Sequence, residues 1–198
     1  MEKLKAALSF GGILTKENIE NVISYFEVKE LPAGMDFLTL GKISNEIGFI
    51  DSGVVRTYTV NEAGEEVTRY FFRENQFIVD LESYYSRKPT TYPLQAVIAS
   101  RIICVKRQDW EKLTEKIPQL FILTKSLSEA LLLNKLKDND FLNFGTATDK
   151  YREFIKRYPD LALYVPQQYI ASYLKITPQS LSRIRKTIAS NGRDDMPY

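Results

Sequence analysis

Histidine is absent from this 198-residue chain, and cysteine occurs once. The first absence excludes Ser-His-Asp and Cys-His catalysis, histidine-ligated haem and histidine-containing zinc sites. The second excludes an internal disulfide framework and an iron–sulfur cluster held within the chain. The lone Cys104 lies in the apolar run I-I-C-V at 102–105. Apolar surroundings raise a thiol's pKa, so a buried, inert thiol in a reducing compartment is predicted. No apolar run approaches the ~20 residues that span a bilayer. The first residues, M-E-K-L-K-A-A-L-S-F, lack the apolar core and small-residue cleavage site of a signal peptide. These features predict a cytoplasmic protein without a membrane partner.

Acidic residues are missing from one region only. Between 161 and 193 there is no Asp or Glu, against Lys175, Arg183, Arg185, Lys186 and Arg193. Residues 1–150 carry the two signs in nearly equal numbers, so the formal net charge of +2 hides a basic zone that ends at Asp194 and Asp195. A local basic face is what attraction to a polyanion requires.

Inside that zone two helix starts are written into V-P-Q-Q-Y-I-A-S-Y-L-K-I-T-P-Q-S-L-S-R-I-R-K-T-I-A, residues 165–189. Pro166 suits a first helical position, where its missing N–H costs nothing. Thr177 followed by Pro178 repeats the signal as an N-cap hydroxyl and a first-turn proline. Ile170, Ala171 and Leu174 form one apolar stripe, and Leu181, Ile184 and Ile188 another. Only Lys175, Ile176 and Thr177 join them, which predicts a helix-turn-helix. Gln179, Ser180, Ser182, Arg183, Arg185 and Lys186 lie off the second stripe. Glutamine matches adenine and arginine matches guanine at the major-groove edge, while serine hydroxyls suit phosphates. An ordinary helical hairpin with a solvated polar face is the other reading.

The rest of the chain changes period once. Residues 15–27 read as a short helix opened by T-K-E-N. Short extended segments follow at 26–31, 37–40, 47–50, 54–60, 67–72, 77–81, 94–99 and 102–106, separated by P-A-G, D-S-G and N-E-A-G turns. That spacing predicts a β sandwich or jelly roll. From 108 the period is helical. Asp109 is the expected cap of a helix that Pro118 ends, and a longer helix runs to about Asn139. Leu120, Leu123, Leu127, Leu131 and Leu136 line it, while Phe121, Ile122, Leu132 and Leu133 widen its apolar surface. A helix apolar on more than one side needs two covers: the β domain, and either the same helix of a second chain or further parts of this one. A hinge is expected at 143–145 and a short helix at 149–158 that Pro159 ends. The fold class is α+β, and the division is 1–116, 117–143 and 144–198. Carboxylates such as Asp36, Glu46 and Asp51 show no catalytic spacing, so neither catalytic residues nor a metal site are expected.

A β roll, a long leucine-rich helix and a C-terminal helix-turn-helix together resemble the Crp/Fnr family of bacterial transcription regulators. The resemblance covers nearly the whole chain. It is most specific in Q-Y-I-A-S-Y-L-K-I-T-P-Q-S-L-S-R at 168–183, which matches the family's helix-turn-helix without a gap. F-I-D-S-G-V-V-R-T-Y at 49–58 resembles the glycine turn of the cyclic-nucleotide-binding roll. N-Q-F-I-V-D-L at 75–81 falls at its phosphate-binding cassette. The resemblance implies a homodimer through the helix at 117–139, bound to two-fold-related double-stranded DNA, with RNA polymerase as a partner if the protein is an activator. Gln179 and Arg183 take the base-reading positions, within a DNA-binding set of Gln167, Gln168, Thr177, Pro178, Ser180, Ser182 and Lys186. Pro178 stands where many members carry a base-contacting arginine, so sequence preference should differ. The sequence ends at Tyr198, so the β-hairpin wing of many members is expected to be reduced or absent.

The resemblance is weakest at the ligand. Cyclic AMP sites of this family use Gly-Glu, and about ten residues later Arg-Ser or Arg-Thr. Here Val79 and Asp80 replace the first pair, and Thr90 and Thr91 the second. Val79 puts a branched side chain where backbone should approach phosphate. The lost arginine removes a charge-assisted contact worth ~1.5–3 kcal/mol. Tight cyclic AMP binding is therefore expected to be lost, and the roll serves another small-molecule effector or only a scaffold. Val79, Asp80, Leu81, Glu82, Ser83, Thr90 and Thr91 are the candidate pocket residues, with capping or surface roles as the alternative. A ligand-binding interaction module whose C-terminal helices dock a protein is the alternative function.

Overall fold

The computed structural model of the chain describes residues 1–194, with side chains described as far as Ser190. The expectation about a wing falls on 195–198, outside the described residues. The chain divides into two units: residues 1–59 with 69–132, and residues 60–68 with 133–198.

The first unit opens with helices α1 (Glu2–Leu8) and α2 (Lys16–Ile23). Helix α1 has no counterpart in the sequence reading, although Leu4 and Leu8, one turn apart, are both fully buried. Thr15 caps α2 by accepting from Asn18 N at 3.2 Å. Strands β1 (Glu27–Leu31), β2 (Asp36–Leu38), β3 (Glu46–Ser52), β4 (Val55–Val60), β5 (Glu66–Phe72) and β6 (Phe77–Ile78) follow. Helix α3 (Leu81–Ser86), strands β7 (Leu94–Ala96) and β8 (Ser100–Lys106), helix α4 (Arg107–Lys116) and the long helix α5 (Gln119–Asn143) complete the series. The strands form two four-stranded sheets, ordered β1-β8-β3-β6 and β2-β7-β4-β5, in which β1/β8, β3/β8, β3/β6, β2/β7 and β4/β7 pair antiparallel. The α+β fold class and the sandwich are as expected.

The apolar run at 102–105 is continuous because β8 is covered on both faces. Ile103 and Val105 pack with Leu4, Leu8, Trp110, Leu113 and Leu120. Ile102 and Cys104 pack with Ile50, Val55, Phe72, Ile78 and Leu94. Burial pushes the Cys104 thiol up to about 11. Gly53 holds the turn between β3 and β4 at φ +103°, where a Cβ would lie 2.2 Å from Ser100 Oγ. Only glycine fits there.

Several boundaries differ from the sequence reading: β6 stops at Ile78, not at 81, because Asp80 caps α3, and the long helix runs on to Asn143. Asp109 does not cap α4: the cap position is Lys106, and Asp109 lies in the first turn, paired with Lys112 at 3.3 Å. Strand β7 stops at Ala96, not at 99, because the chain turns there, with Val97 N donating to Val54 O at 2.8 Å and Ser100 Oγ to Ile98 O at 2.8 Å. Pro159 ends one helix and begins another. Helix α6 (Ala147–Arg157) is followed directly by α7 (Pro159–Tyr164), since proline suits a first turn.

Helix α5 carries two apolar faces. Leu120 and Leu123 are buried, and Leu127 and Leu131 pack at the edges of the core clusters. Roughly half a turn round, Phe121, Ile122, Leu132, Leu133 and Leu136 are 53–66% exposed. Lys125 and Glu129, 3.8 Å apart, sit between the two ends of that second face.

Candidate functional site

In the second unit, α8 (Gln167–Tyr173) and α9 (Pro178–Asp194) are joined by four residues. Pro166 precedes α8 instead of starting it; its carbonyl accepts from Tyr169 N at 3.0 Å and Ile170 N at 3.3 Å. The turn closes with Lys175 in the left-handed region at φ +57°. Ile176 N donates to Ala171 O at 3.0 Å, and Lys175 Nζ to Asn143 Oδ1 at 2.7 Å. Thr177 caps α9 as expected, its Oγ1 accepting from Ser180 N at 3.1 Å and donating to Ser180 Oγ at 2.9 Å.

Ile170, Ala171, Leu174 and Leu181 are fully buried, while Ile184 and Ile188 are half-buried. With one side of α9 so committed, its polar residues turn outward. Gln179, Arg183 and Lys186 are exposed and Ser182 is half-buried; their spacing of three, four and seven puts them on one face. Thr177 and Pro178 are exposed at the start of the same helix, and Ser180 is half-buried. Gln167 and Gln168 are exposed at the start of α8. Gln167 and Gln168 thus stand at the N-terminal end of α8 and Thr177, Pro178, Gln179 and Ser180 at that of α9, while Ser182, Arg183 and Lys186 follow along α9. Such ends present unpaired N–H groups and a positive dipole end, which favour phosphate oxygens.

A polar cluster that sequence reasoning missed holds this unit from inside. Asp138, on α5, is 3% exposed. Its Oδ1 accepts from Tyr158 Oη at 2.5 Å and its Oδ2 from Tyr173 Oη at 2.9 Å. Arg157 Nη1 lies 3.5 Å from Oδ1. Tyr173 belongs to α8, and Arg157 and Tyr158 stand at the junction of α6 and α7, so one carboxylate ties three segments together. Phe154 packs edge-on against both Tyr158 and Tyr173. Ser172 binds the 60–68 segment: its Oγ accepts from Thr68 N at 2.8 Å and donates to Glu66 O at 3.3 Å.

The candidate effector residues lie in the first unit. Asp80 caps α3, accepting from Ser83 N at 3.2 Å through Oδ1, and Thr90 Oγ1 donates to its Oδ2. Ser83 Oγ accepts from Ser44 N at 3.0 Å and donates to Lys88 O at 2.6 Å. Asp80, Ser83 and Thr90 thus form one hydrogen-bonded group. Val79 is half-buried against the core, and Leu81, Glu82 and Thr91 are exposed. None of the seven lines the cavity of about 590 Å³ found elsewhere in this unit, beside Phe37, Lys42, Ser44 and Arg107.

The sequence matches no protein-family model and no curated protein. Solved structures are similar in fold. FixK2 from Bradyrhizobium japonicum superposes with a TM-score of 0.70 at 17% identity, covering 84% of this chain and 86% of that one. CLP from Xanthomonas campestris, a c-di-GMP responsive global regulator, gives 0.69 at 14% identity, covering 90% and 93%. The catabolite activator protein of Thermus thermophilus gives 0.56 at 19% identity, covering 94% and 88%. Over most of its length this chain has the fold of these proteins.

Proposed function

We propose that this protein is a homodimeric, sequence-specific DNA-binding transcription regulator of the Crp/Fnr type. Residues 144–198 are its DNA-binding domain with α9 as the reading helix, 117–143 its dimerisation helix, and 1–116 an effector domain that has lost tight cyclic AMP binding. The observation that carries this reading is the face of exposed Gln179, Arg183 and Lys186 with half-buried Ser182 among them, presented by a helix whose other side packs inward through Leu181, Ile184 and Ile188, in a stretch, 161–193, without carboxylates. A helix of that kind fits the major groove, with arginine bidentate to guanine and glutamine to adenine. The second apolar face of α5 supports a symmetric partner, because a two-fold axis lays the same face against itself.

Arg183→Ala tests the reading residue. Loss of a bidentate base contact costs about 1–3 kcal/mol and relaxes preference at one base pair. Anisotropy titrations against a duplex selected from a random pool should show affinity reduced about five- to 150-fold. Unchanged affinity and unchanged base preference would refute the assignment.

The effector domain has its own test. Both carboxylate oxygens of Asp80 are already engaged, and Thr90 and Thr91 bring no cation to a phosphate. Calorimetric titration with cyclic AMP should therefore give no saturable heat in the micromolar range. Micromolar binding would show that neighbouring groups rebuild the phosphate site.

A further inference from the structure

The open cavity in the first unit has a chemistry of its own. Its lining includes three cations, Lys42, Lys106 and Arg107, and one carboxylate, Glu46. Glu46 is already neutralised: Lys29, which is not part of the lining, donates to both its oxygens at 2.6 Å. Arg107 is held in place, its side chain 13% exposed and its Nη1 donating to Tyr84 O at 3.1 Å. The side chains of Lys42 and Lys106 are exposed and make no hydrogen bond or ion pair among the described residues. Ser44 also lines the cavity. It is only 2% exposed, yet its hydroxyl has no hydrogen-bond partner among the described residues, the Ser44–Ser83 bond being made by the backbone N–H. Helix α4 starts at the rim without a side-chain cap. Asp109 in its first turn is paired with Lys112.

We propose that this cavity binds a small organic anion, a metabolite bearing a phosphate or carboxylate group, at a site lined by none of residues 79–91, although Ser83, Tyr84 and Thr90 are hydrogen-bonded to its walls. The unpaired ammonium groups of Lys42 and Lys106, beside the free hydroxyl of Ser44 and an Arg107 that is already paired with Glu111 at 3.9 Å, are donors that suit an oxyanion. The volume of about 590 Å³ is that of a small-molecule site. Phe37, Leu38 and Ile43 supply an apolar wall for the carbon part of the ligand.

Calorimetric titration of the full chain without DNA, using glycerol 3-phosphate, inorganic phosphate and citrate with neutral glycerol as control, tests the site. One anion is expected to bind saturably, once per chain, and glycerol is not. Selectivity for the two phosphates or for citrate identifies the group recognised. The double variant K42A/K106A, altered only at exposed side chains, should bind at least about tenfold more weakly. Amide shifts on wild-type titration should centre on 42–45 and 106–108. Absence of saturable binding by every anion up to about 10 mM, equal affinity in the double variant, or shifts centred on 79–91 would each overturn the proposal.

Discussion

Asp138→Ala is expected to destabilise the second unit by about 3–5 kcal/mol, the range for breaking a buried, paired charge. The carboxylate is almost fully buried and accepts from two tyrosine hydroxyls, with a guanidinium at 3.5 Å. Hydrogen bonds to a charged group contribute about 1.5–3 kcal/mol each, so two of them account for the figure. Alanine also leaves the hydroxyl of Tyr173, itself 3% exposed, beside a void. Asp138→Asn keeps an acceptor and the shape, so it should cost less. Hydrogen exchange gives the local readout: amides of α6 and α8 should lose protection in Asp138→Ala. A double-mutant cycle with Tyr173→Phe should show coupling of about 0.5–3 kcal/mol. Additive effects would mean that the hydroxyl and the carboxylate do not support each other.

Charging the second apolar face of α5 should separate the chains. Leu132 and Leu136 are 57% and 53% exposed in one chain, so Leu132→Glu with Leu136→Glu leaves the monomer's core untouched. Burying a leucine side chain contributes about 1.5–3 kcal/mol, and a two-fold interface counts each residue twice. The double variant is therefore expected to lose at least about 6 kcal/mol of association, roughly 10⁴-fold in the dimer dissociation constant. Sedimentation velocity should show a dimer for the natural sequence and a monomer for the variant. Binding to a two-fold DNA site should fall with it, because the second half-site contact is no longer joined to the first. A monomeric natural protein, or a variant that remains dimeric, would remove α5 as the interface.

The parts of this protein that were legible in its sequence are those set by local chemistry. Thr177 and Pro178 write the start of α9, and the cap is present. D-S-G at 51–53 marks the tight turn that only Gly53 can make. The alternation along 102–105 gave way to an unbroken apolar run because β8 is covered on both sides. What escaped depends on distant partners. Asp138 looks like a solvated charge in K-D-N-D, and nothing local says that tyrosines 20 and 35 residues on close over it. Lys175 adopts a conformation that favours glycine, supported by its bond to Asn143, 32 residues away. The cavity draws its lining from the stretches 37–46 and 106–108, so no single motif marks it. At the candidate effector segment the resemblance singled out Val79, Asp80, Thr90 and Thr91. It did not show that Thr90 donates to Asp80.

DNA binding as a function of salt is the most direct measurement. The protein would be titrated into a labelled duplex recovered from a random pool, between about 50 and 200 mM salt. A regulator making six or more phosphate contacts should lose roughly a thousandfold or more in affinity over that range. A scrambled duplex should bind at least about a thousandfold more weakly at the same salt. A pool from which no duplex is enriched, or binding that ignores both salt and sequence, would contradict the assignment of α9 as a DNA-reading helix.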